Sequence, residues 1–182
     1  MSLSAQMFRN VAVFLASLYL AGLSGANIAR SQSNALGCAL ERVGGTSQSV
    51  LRCRDGLAIT PEAGARYTLA DRDGDGGVDA VRLQRKALLI DAPEGRSGSG
   101  FQVITPQAIA AVRGTRWAVD TAAGKTSVFV VRGRVSVQRP SASAAVVLGP
   151  GEGVDVEPGT APLTVRRWPA ARAAALLARL GQ

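Results

Sequence analysis

The chain has 182 residues, of which 47% are hydrophobic and 19% are charged. This balance is typical of a folded protein and excludes an intrinsically disordered chain, which has few apolar residues and a high charge density. The 21 basic and 13 acidic residues give a net charge of +8, and the absence of histidine excludes Ser-His-Asp and Cys-His catalysis and most zinc chemistry.

The amino-terminal segment is typical of a secretory signal peptide. Arg9 precedes an uncharged apolar run at residues 11–26, which ends in Ser24-Gly25-Ala26, a small-x-small cleavage pattern. We expect residues 1–26 to be removed and residues 27–182 to form one domain, periplasmic or secreted, with no membrane span. A retained membrane anchor is the alternative, because the uncharged run continues past this pattern and approaches the roughly 20 apolar residues of a span.

Cys38 and Cys53 are the only cysteines of the chain. In an oxidising compartment we predict that they form a disulfide, which contributes about 3 kcal/mol for a loop of this length in the chain-entropy model. Two buried free thiols are a weaker alternative. A metal site is a still weaker alternative, since two thiolates do not complete the tetrahedral coordination of zinc. The residues 35–37 before Cys38 form a poor lipidation sequence.

Short segments of alternating apolar and polar residues predict strands, and nearly every connection between them carries Gly or Pro. The predicted strands lie at 57–59, 65–69, 81–83, 88–90, 101–104, 117–119, 128–131, 135–137, 146–148 and 154–156. Helical patterns long enough for the crossovers of a parallel sheet are absent between residues 57 and 157. The sequence therefore predicts an all-β, antiparallel-rich sandwich or roll with a β core at about residues 53–157.

Residues 169–180 predict a short carboxy-terminal helix. Pro169 occupies a plausible first helical position, and the residues after it are mostly Ala, Leu and Arg. Leu176, Leu177 and Leu180 would form one apolar face, which we expect to dock on the β core. An amphipathic helix that binds a membrane or a partner is the alternative, although about 12 residues are marginal for an isolated helix.

Residues 71–79, DRDGDGGVD, match the first half of a calcium loop. The carboxylates at positions 1, 3, 5 and 9 of that loop would be Asp71, Asp73, Asp75 and Asp79. Position 12, where the loop needs a bidentate Glu, is Arg82, and no helix pattern flanks the segment. An Asp/Gly turn between two strands explains the same residues, so we favour a turn and expect no metal and no cofactor.

The segment at residues 105–120, TPQAIAAVRGTRWAVD, is apolar apart from Arg113-Gly114-Thr115. Val112 occupies an even position and Trp117 an odd one, so the strand's alternation must slip between them if both side chains face the core. We place a β-bulge at Gly114, because glycine tolerates the backbone angles of a bulge. The kink would change the direction of the Arg113 and Thr115 side chains.

A second Arg-Gly pair lies within residues 127–138. There we expect Phe129 and Val135 to share one face of the strand and Arg132 and Arg134 to share the other. The candidate binding residues are Arg113, Gly114, Thr115, Arg132, Gly133 and Arg134. In the alternative role, the arginines brace adjacent turns through hydrogen bonds to carbonyl groups.

These segments resemble the FecR domain. TPQAIAAVRGTRWAVD, TSVFVVRGRVSV and VVLGPGEGVDV match its pattern of Thr-Pro, an apolar stretch, Val-Arg-Gly-Thr, an aromatic residue and strands with glycine turns, and GLAITPEAGARYTLAD and AVRLQRKALLI look like its earlier strands. The resemblance covers most of residues 53–157 and implies an extracytoplasmic β-rich module. We expect no cytoplasmic anti-sigma segment before residue 11, so the chain resembles the short exported members of the family more than the founding iron-citrate regulators.

The resemblance implies a non-catalytic binding module of the bacterial envelope, linked to signalling or regulation through a partner. The partner would be an envelope protein or an anionic glycan or lipid surface, and we expect no nucleic acid. The alternative is a polyanion-binding protein whose basic surface takes lipopolysaccharide or an acidic glycan. Asp91 with Glu94, and Asp155 with Glu157, are carboxylate pairs of the kind used in glycoside hydrolysis, but we expect no enzyme.

Overall fold

The computed structural model describes residues 36–44, 48–94 and 100–182, so the predicted signal peptide at residues 1–26 lies outside the described residues. The described residues form thirteen strands and one helix. In chain order these are β1 (Cys38–Arg42), β2 (Ser49–Cys53), β3 (Ala58–Pro61), β4 (Arg66–Ala70), β5 (Ala80–Ala92), β6 (Phe101–Ile104), β7 (Ile109–Val112), β8 (Thr115–Ala122), β9 (Lys125–Arg132), β10 (Val135–Gln138), β11 (Ala145–Leu148), β12 (Glu152–Val156), β13 (Arg166–Arg167) and α1 (Ala170–Arg179).

The strands form two sheets that share β5 and together curl into a half-barrel. Sheet A has the order β1-β2-β3-β5-β8-β9-β12-β13, and sheet B has the order β11-β10-β7-β6-β5-β4. Within the described ranges, β5 and β6 form the one parallel pair, and the other pairs are antiparallel. The prediction of an all-β, antiparallel-rich fold, a sandwich or roll of short strands with a short carboxy-terminal helix, is confirmed, and the sheets take the form of a half-barrel.

Strand β5 is a single strand of 13 residues, where the sequence predicted two separate strands at 81–83 and 88–90. Its first half pairs with β4 and β6 in sheet B, and its second half pairs with β3 and β8 in sheet A. Lys86, at the junction, has a φ of 66°, which is uncommon for a residue with a side chain. The kink at Lys86 lets one strand pass from sheet B to sheet A without ending.

The main hydrophobic core lies between the two sheets. Trp117 from sheet A and Phe101 from sheet B are the largest side chains in it that are fully buried. Valines and leucines from both sheets surround them, because successive side chains of a strand point to opposite faces. The valine-rich strands predicted from the sequence therefore supply this core.

Helix α1 packs on the outer face of sheet A and forms a second hydrophobic cluster there. Leu176 and Leu180 of the helix region meet Leu89, Phe129 and Trp168, and the rings of Phe129 and Trp168 stack at 5.0 Å between centroids. The expectation that Phe129 shares a face with Val135 was wrong, because Phe129 faces the helix whereas Val135 lies in the main core. The chain changes sheet between these two residues. Among the described residues, no helix combines the length and the apolar character needed to cross a membrane.

The predicted disulfide is present. Cys38 and Cys53 lie directly opposite each other on β1 and β2, and their sulfur atoms are bonded. The bond closes the β1–β2 hairpin at the end of sheet A.

Candidate functional site

The two Arg-Gly pairs are corners at which the chain changes sheet. Strand β7 belongs to sheet B and β8 to sheet A, and the chain passes between them at Arg113-Gly114. It returns to sheet B between β9 and β10 at Gly133-Arg134. The slip of alternation that the sequence predicts between Val112 and Trp117 is therefore real, but it arises at a corner between two strands and not at a bulge within one strand.

The two corners pack directly on each other at Gly133, and Gly114 packs against the chain that follows β5. Gly114 has a φ of 63° and Gly133 a φ of 85°, a region that residues with a side chain rarely adopt. A Cβ atom on Gly133 would lie 2.7 Å from the carbonyl oxygen of Gly114. A Cβ atom on Gly114 would collide with Glu94, which follows the end of β5. No side chain fits at either position without a shift of the neighbouring chain.

Thr115 links the two corners through its hydroxyl group. The side chain is fully buried, and its Oγ1 lies 3.1 Å from the carbonyl oxygen of Arg113 and 3.0 Å from that of Arg134. The hydroxyl has one proton and donates it to one of these oxygens at a time. The arginines thus brace the corners through their carbonyl groups, while their side chains remain free to point outward.

The arginine side chains at these corners are exposed. We call Arg113, Arg132 and Arg134 the arginine corner. Arg132 forms an ion pair with Asp91 at 3.2 Å, whereas no carboxylate of a described residue lies within 4.0 Å of the other two guanidinium groups. Arg116 stands opposite Arg132 in the β8–β9 pairing, and its guanidinium donates to the side-chain oxygen of Gln182.

The arginine corner therefore presents planar guanidinium groups on a rigid base. A guanidinium offers two parallel N–H groups that match a carboxylate or a phosphate, and such charge-assisted pairs are the strong kind of hydrogen bond. The geometry suits the recognition of an anionic group.

The carboxylates considered for glycoside hydrolysis are held in other contacts. Asp91 pairs with Arg132, and Glu94 packs against Gly114. Asp155 accepts hydrogen bonds from Ser127 and Arg172 at 2.6 Å each. Partial burial acts to raise the pKa of Asp155, but these bonds and the nearby positive charges outweigh it, so the pKa lies below its ordinary value. A general acid needs the opposite shift.

The Asp-rich loop between β4 and β5 uses its carboxylates within the turn. The two oxygens of Asp71 accept the amides of Gly74 and Gly76 at 2.7 and 2.9 Å, and these bonds lower its pKa. Asp79 accepts the amide of Arg72 at 3.0 Å. Oxygen atoms of Asp71, Asp73 and Asp79 lie within 4.8 Å of one another. These contacts are those of an Asp/Gly turn.

Sequence reasoning missed an ionic clamp that holds the helix. Arg179 of α1 donates to Glu62 at 2.6 Å and to Asp120 at 2.7 Å, and both carboxylates are 15% exposed. Partial burial acts to raise the pKa of Glu62, but the hydrogen bond and charge of Arg179, the amide of Ala87 and the charge of Lys86 outweigh it and lower the pKa. Glu62 and Arg179 are 117 positions apart, so no local pattern indicated this pairing.

Comparison with known proteins identifies a family and two similar solved structures. The profile of the family described as FecR protein matches residues 40–136, which are 97 of the 182 residues. Two crystal structures of a "putative anti-sigma factor" from Parabacteroides distasonis ATCC 8503 are similar, each with a TM-score of 0.57 and 20% identity, and they align with 77% and 76% of this chain. The aligned part spans 64% of each of those chains. None of the curated proteins matches this chain.

Proposed function

The chain belongs to the FecR family, and on this premise we propose that it is a non-catalytic regulatory module of the bacterial envelope that acts by binding a partner protein. Residues 27–182 form the mature domain, released by cleavage after residue 26, in the periplasm or outside the cell. The disulfide between Cys38 and Cys53 supports this location, because disulfides form and persist in oxidising compartments.

A regulatory role is supported by the description of the similar solved structures as a "putative anti-sigma factor". This chain spans 64% of that protein's length, and the identity of 20% shows a shared fold alone. The proposal is therefore limited to binding of a partner in the envelope and does not extend to contact with a sigma factor.

The observation that carries the proposal is the arginine corner on its rigid base. Thr115 and Gly133 fix the two corners, so the exposed guanidinium groups of Arg113 and Arg134 project from backbone that is already ordered. Ordering of a flexible site upon binding costs free energy, and a preorganised site avoids much of that cost. An acidic surface of a partner protein is the ligand that fits these groups.

The test is recovery of a partner from envelope extract on immobilised mature protein, at low and high salt. We expect one protein to be retained at high salt by the wild type and lost with Arg113→Gln/Arg134→Gln, while Arg42→Gln/Arg166→Gln, a change of equal charge at two other exposed arginines, retains it. Melting temperatures confirm that both variants fold. If only lipopolysaccharide or acidic glycan is recovered, and only at low salt, the protein is a polyanion-binding protein and the proposal is wrong.

A further inference from the structure

Strand β4 is a free edge of sheet B. It pairs with β5 alone, and among the described residues no backbone hydrogen bond reaches its other side. Helix α1 covers the outer face of sheet A, whereas Arg66 and Thr68 on the outer face of β4 are exposed. A free edge presents a row of N–H and C=O groups to which another strand can add.

Three exposed arginines lie at or near this edge: Arg66 on β4, and Arg82 and Arg85 on the neighbouring strand β5. Arg66 stands opposite Arg85 in the β4–β5 pairing, and Arg82 stands opposite Thr68, beyond a shift of register between Arg66 and Tyr67. No carboxylate of a described residue lies within 4.0 Å of these three guanidinium groups. Like charges on directly opposed residues destabilise a sheet, so the fold retains a local repulsion that an anionic partner would relieve.

The other face of β4 is apolar. Tyr67 and Leu69 point towards the main core and are half-buried at its margin. Strand β4 therefore alternates polar residues on its outer face with apolar residues on its inner face. A strand added at this edge would meet the same alternation, with space for acidic side chains beside Arg66 and for apolar side chains beside Tyr67 and Leu69.

We propose that the β4 edge binds an extended acidic segment of a partner protein, which joins sheet B as a further strand beside β4 and places carboxylates at alternate positions on the face that carries Arg66, Arg82 and Arg85. This site is separate from the arginine corner, so it goes beyond the function proposed above. Backbone hydrogen bonds give the added strand its register, and the arginines select an acidic sequence.

The charge at this edge argues against a second copy of the chain as the occupant. Pairing of two β4 edges would bring the arginine clusters of both copies together, and edge charges of this kind prevent sheets from associating. The other free edges are less suited to an acidic segment. On β1, Glu41 pairs with Arg52 of the neighbouring strand; β11 carries no charged residue; and β13 has two residues.

The first test is calorimetric titration of the mature protein with a ten-residue peptide of alternating Glu and Val, and with the same peptide carrying Gln for Glu. We expect the Glu peptide to bind and the Gln peptide to bind at least tenfold more weakly. Arg66→Gln/Arg82→Gln/Arg85→Gln should weaken binding of the Glu peptide by roughly tenfold at low salt, as expected for three exposed ion pairs. The control Arg42→Gln/Arg54→Gln/Arg166→Gln loses the same charge and should change the affinity by less than about twofold.

The second test separates strand addition from general attraction between charges. Methylation of alternate peptide amides on the side that faces β4 should abolish binding, whereas methylation of the other set should be tolerated, because successive N–H groups of a strand point to opposite sides. Hydrogen exchange of the β4 amides should slow when the unmodified peptide binds.

The proposal is overturned if the Glu peptide does not bind, or if both triple variants lower the affinity for it equally. It is also overturned if neither set of methylated amides changes the affinity. If heparin or anionic vesicles displace the bound Glu peptide as effectively as free Glu peptide does, the proposal is also overturned, and the edge is a polyanion-binding surface. Arg113→Gln/Arg134→Gln should leave the affinity for the peptide unchanged, so failure at the β4 edge and failure at the arginine corner give different results.

Discussion

The hydroxyl of Thr115 lies 3.0 Å from the carbonyl oxygen of Arg134 and so connects the corner that enters sheet A with the corner that leaves it. The two residues are 19 positions apart, and Thr115, which supplies the hydroxyl, is fully buried. A carbonyl oxygen that loses its donor costs free energy to the extent that water does not replace the donor. The hydroxyl of Thr115 therefore contributes, together with the close packing at Gly133, to the order of the arginine corner.

We expect Thr115→Val, which has nearly the same shape without the hydroxyl, to lower the free energy of unfolding by about 1–3 kcal/mol. Thr115→Ser retains the hydroxyl, so its free energy of unfolding should decrease by less than that of the Val variant. Urea denaturation of both variants measures the difference. Equal stability of the Val variant and the wild type would mean that the bond between the corners does not contribute.

Substitution of Gly133 should be more damaging than substitution of a glycine with similar backbone angles in open space. Gly133→Ala places a Cβ atom 2.7 Å from the Gly114 carbonyl oxygen in addition to the strain of a φ of 85°, so we expect a loss above about 2 kcal/mol. Gly124, in the β8–β9 hairpin, has a φ of 73° and no atom within 4 Å of its Cβ position. Gly124→Ala should cost about 1 kcal/mol, and a similar cost for both variants would contradict the packing of the corners.

Because of the clamp on helix α1, we expect the stability of the fold to decrease at acidic pH. The pKa of Glu62 is lowered in the folded state, so its contribution is fully present above the unfolded value of about 4.3 and is lost as the pH falls through the folded value. Arg179→Gln should lower the stability at pH 7 by about 1 kcal/mol and flatten the loss below pH 4.3. Urea titrations between pH 3 and 7 measure both effects, and parallel curves for the two proteins would contradict the role of the clamp.

Reduction of the disulfide should destabilise the domain without changing its fold. The bond between Cys38 and Cys53 closes a short hairpin, and its loss should cost about 3 kcal/mol in the chain-entropy model. Thermal unfolding of Cys38→Ala/Cys53→Ala gives the cost, and circular dichroism at 20 °C serves as the control. A melting temperature equal to that of the wild type would show that the hairpin is stable without its cross-link.

Much of the fold follows from local pattern. Alternation of valines with polar residues, as in Val154-Asp155-Val156, fixes which side chains can face a core, and Gly or Pro between such segments fixes where the chain turns. The single strand β5 was missed because the apolar run at 88–90 has a different pattern from 81–83. The kink at Lys86 that joins them depends on pairing with strands on both sheets.

The contacts around the arginines could not be predicted from local sequence pattern. The sequence marks Arg113-Gly114-Thr115 as an interruption of a strand, and the slip of alternation there is correct. It does not reveal that this interruption packs on Gly133, since the two are brought together by the return of β9 and β10 beside β8 and β7. Arg66 and Arg85 lie on separate segments of ordinary pattern, and their opposition appears only in the register of β4 and β5.

The sequence by itself determined the strand-rich class, the disulfide partners and the apolar positions, because backbone periodicity and the number of cysteines are properties of the chain alone. The tertiary structure decided which charges meet. Arg179 forms ion pairs with Glu62 and Asp120. Arg66, Arg82 and Arg85 form no ion pair with a carboxylate of the described residues. Coulomb interactions depend on distance in space, and the folded arrangement of the two sheets sets those distances.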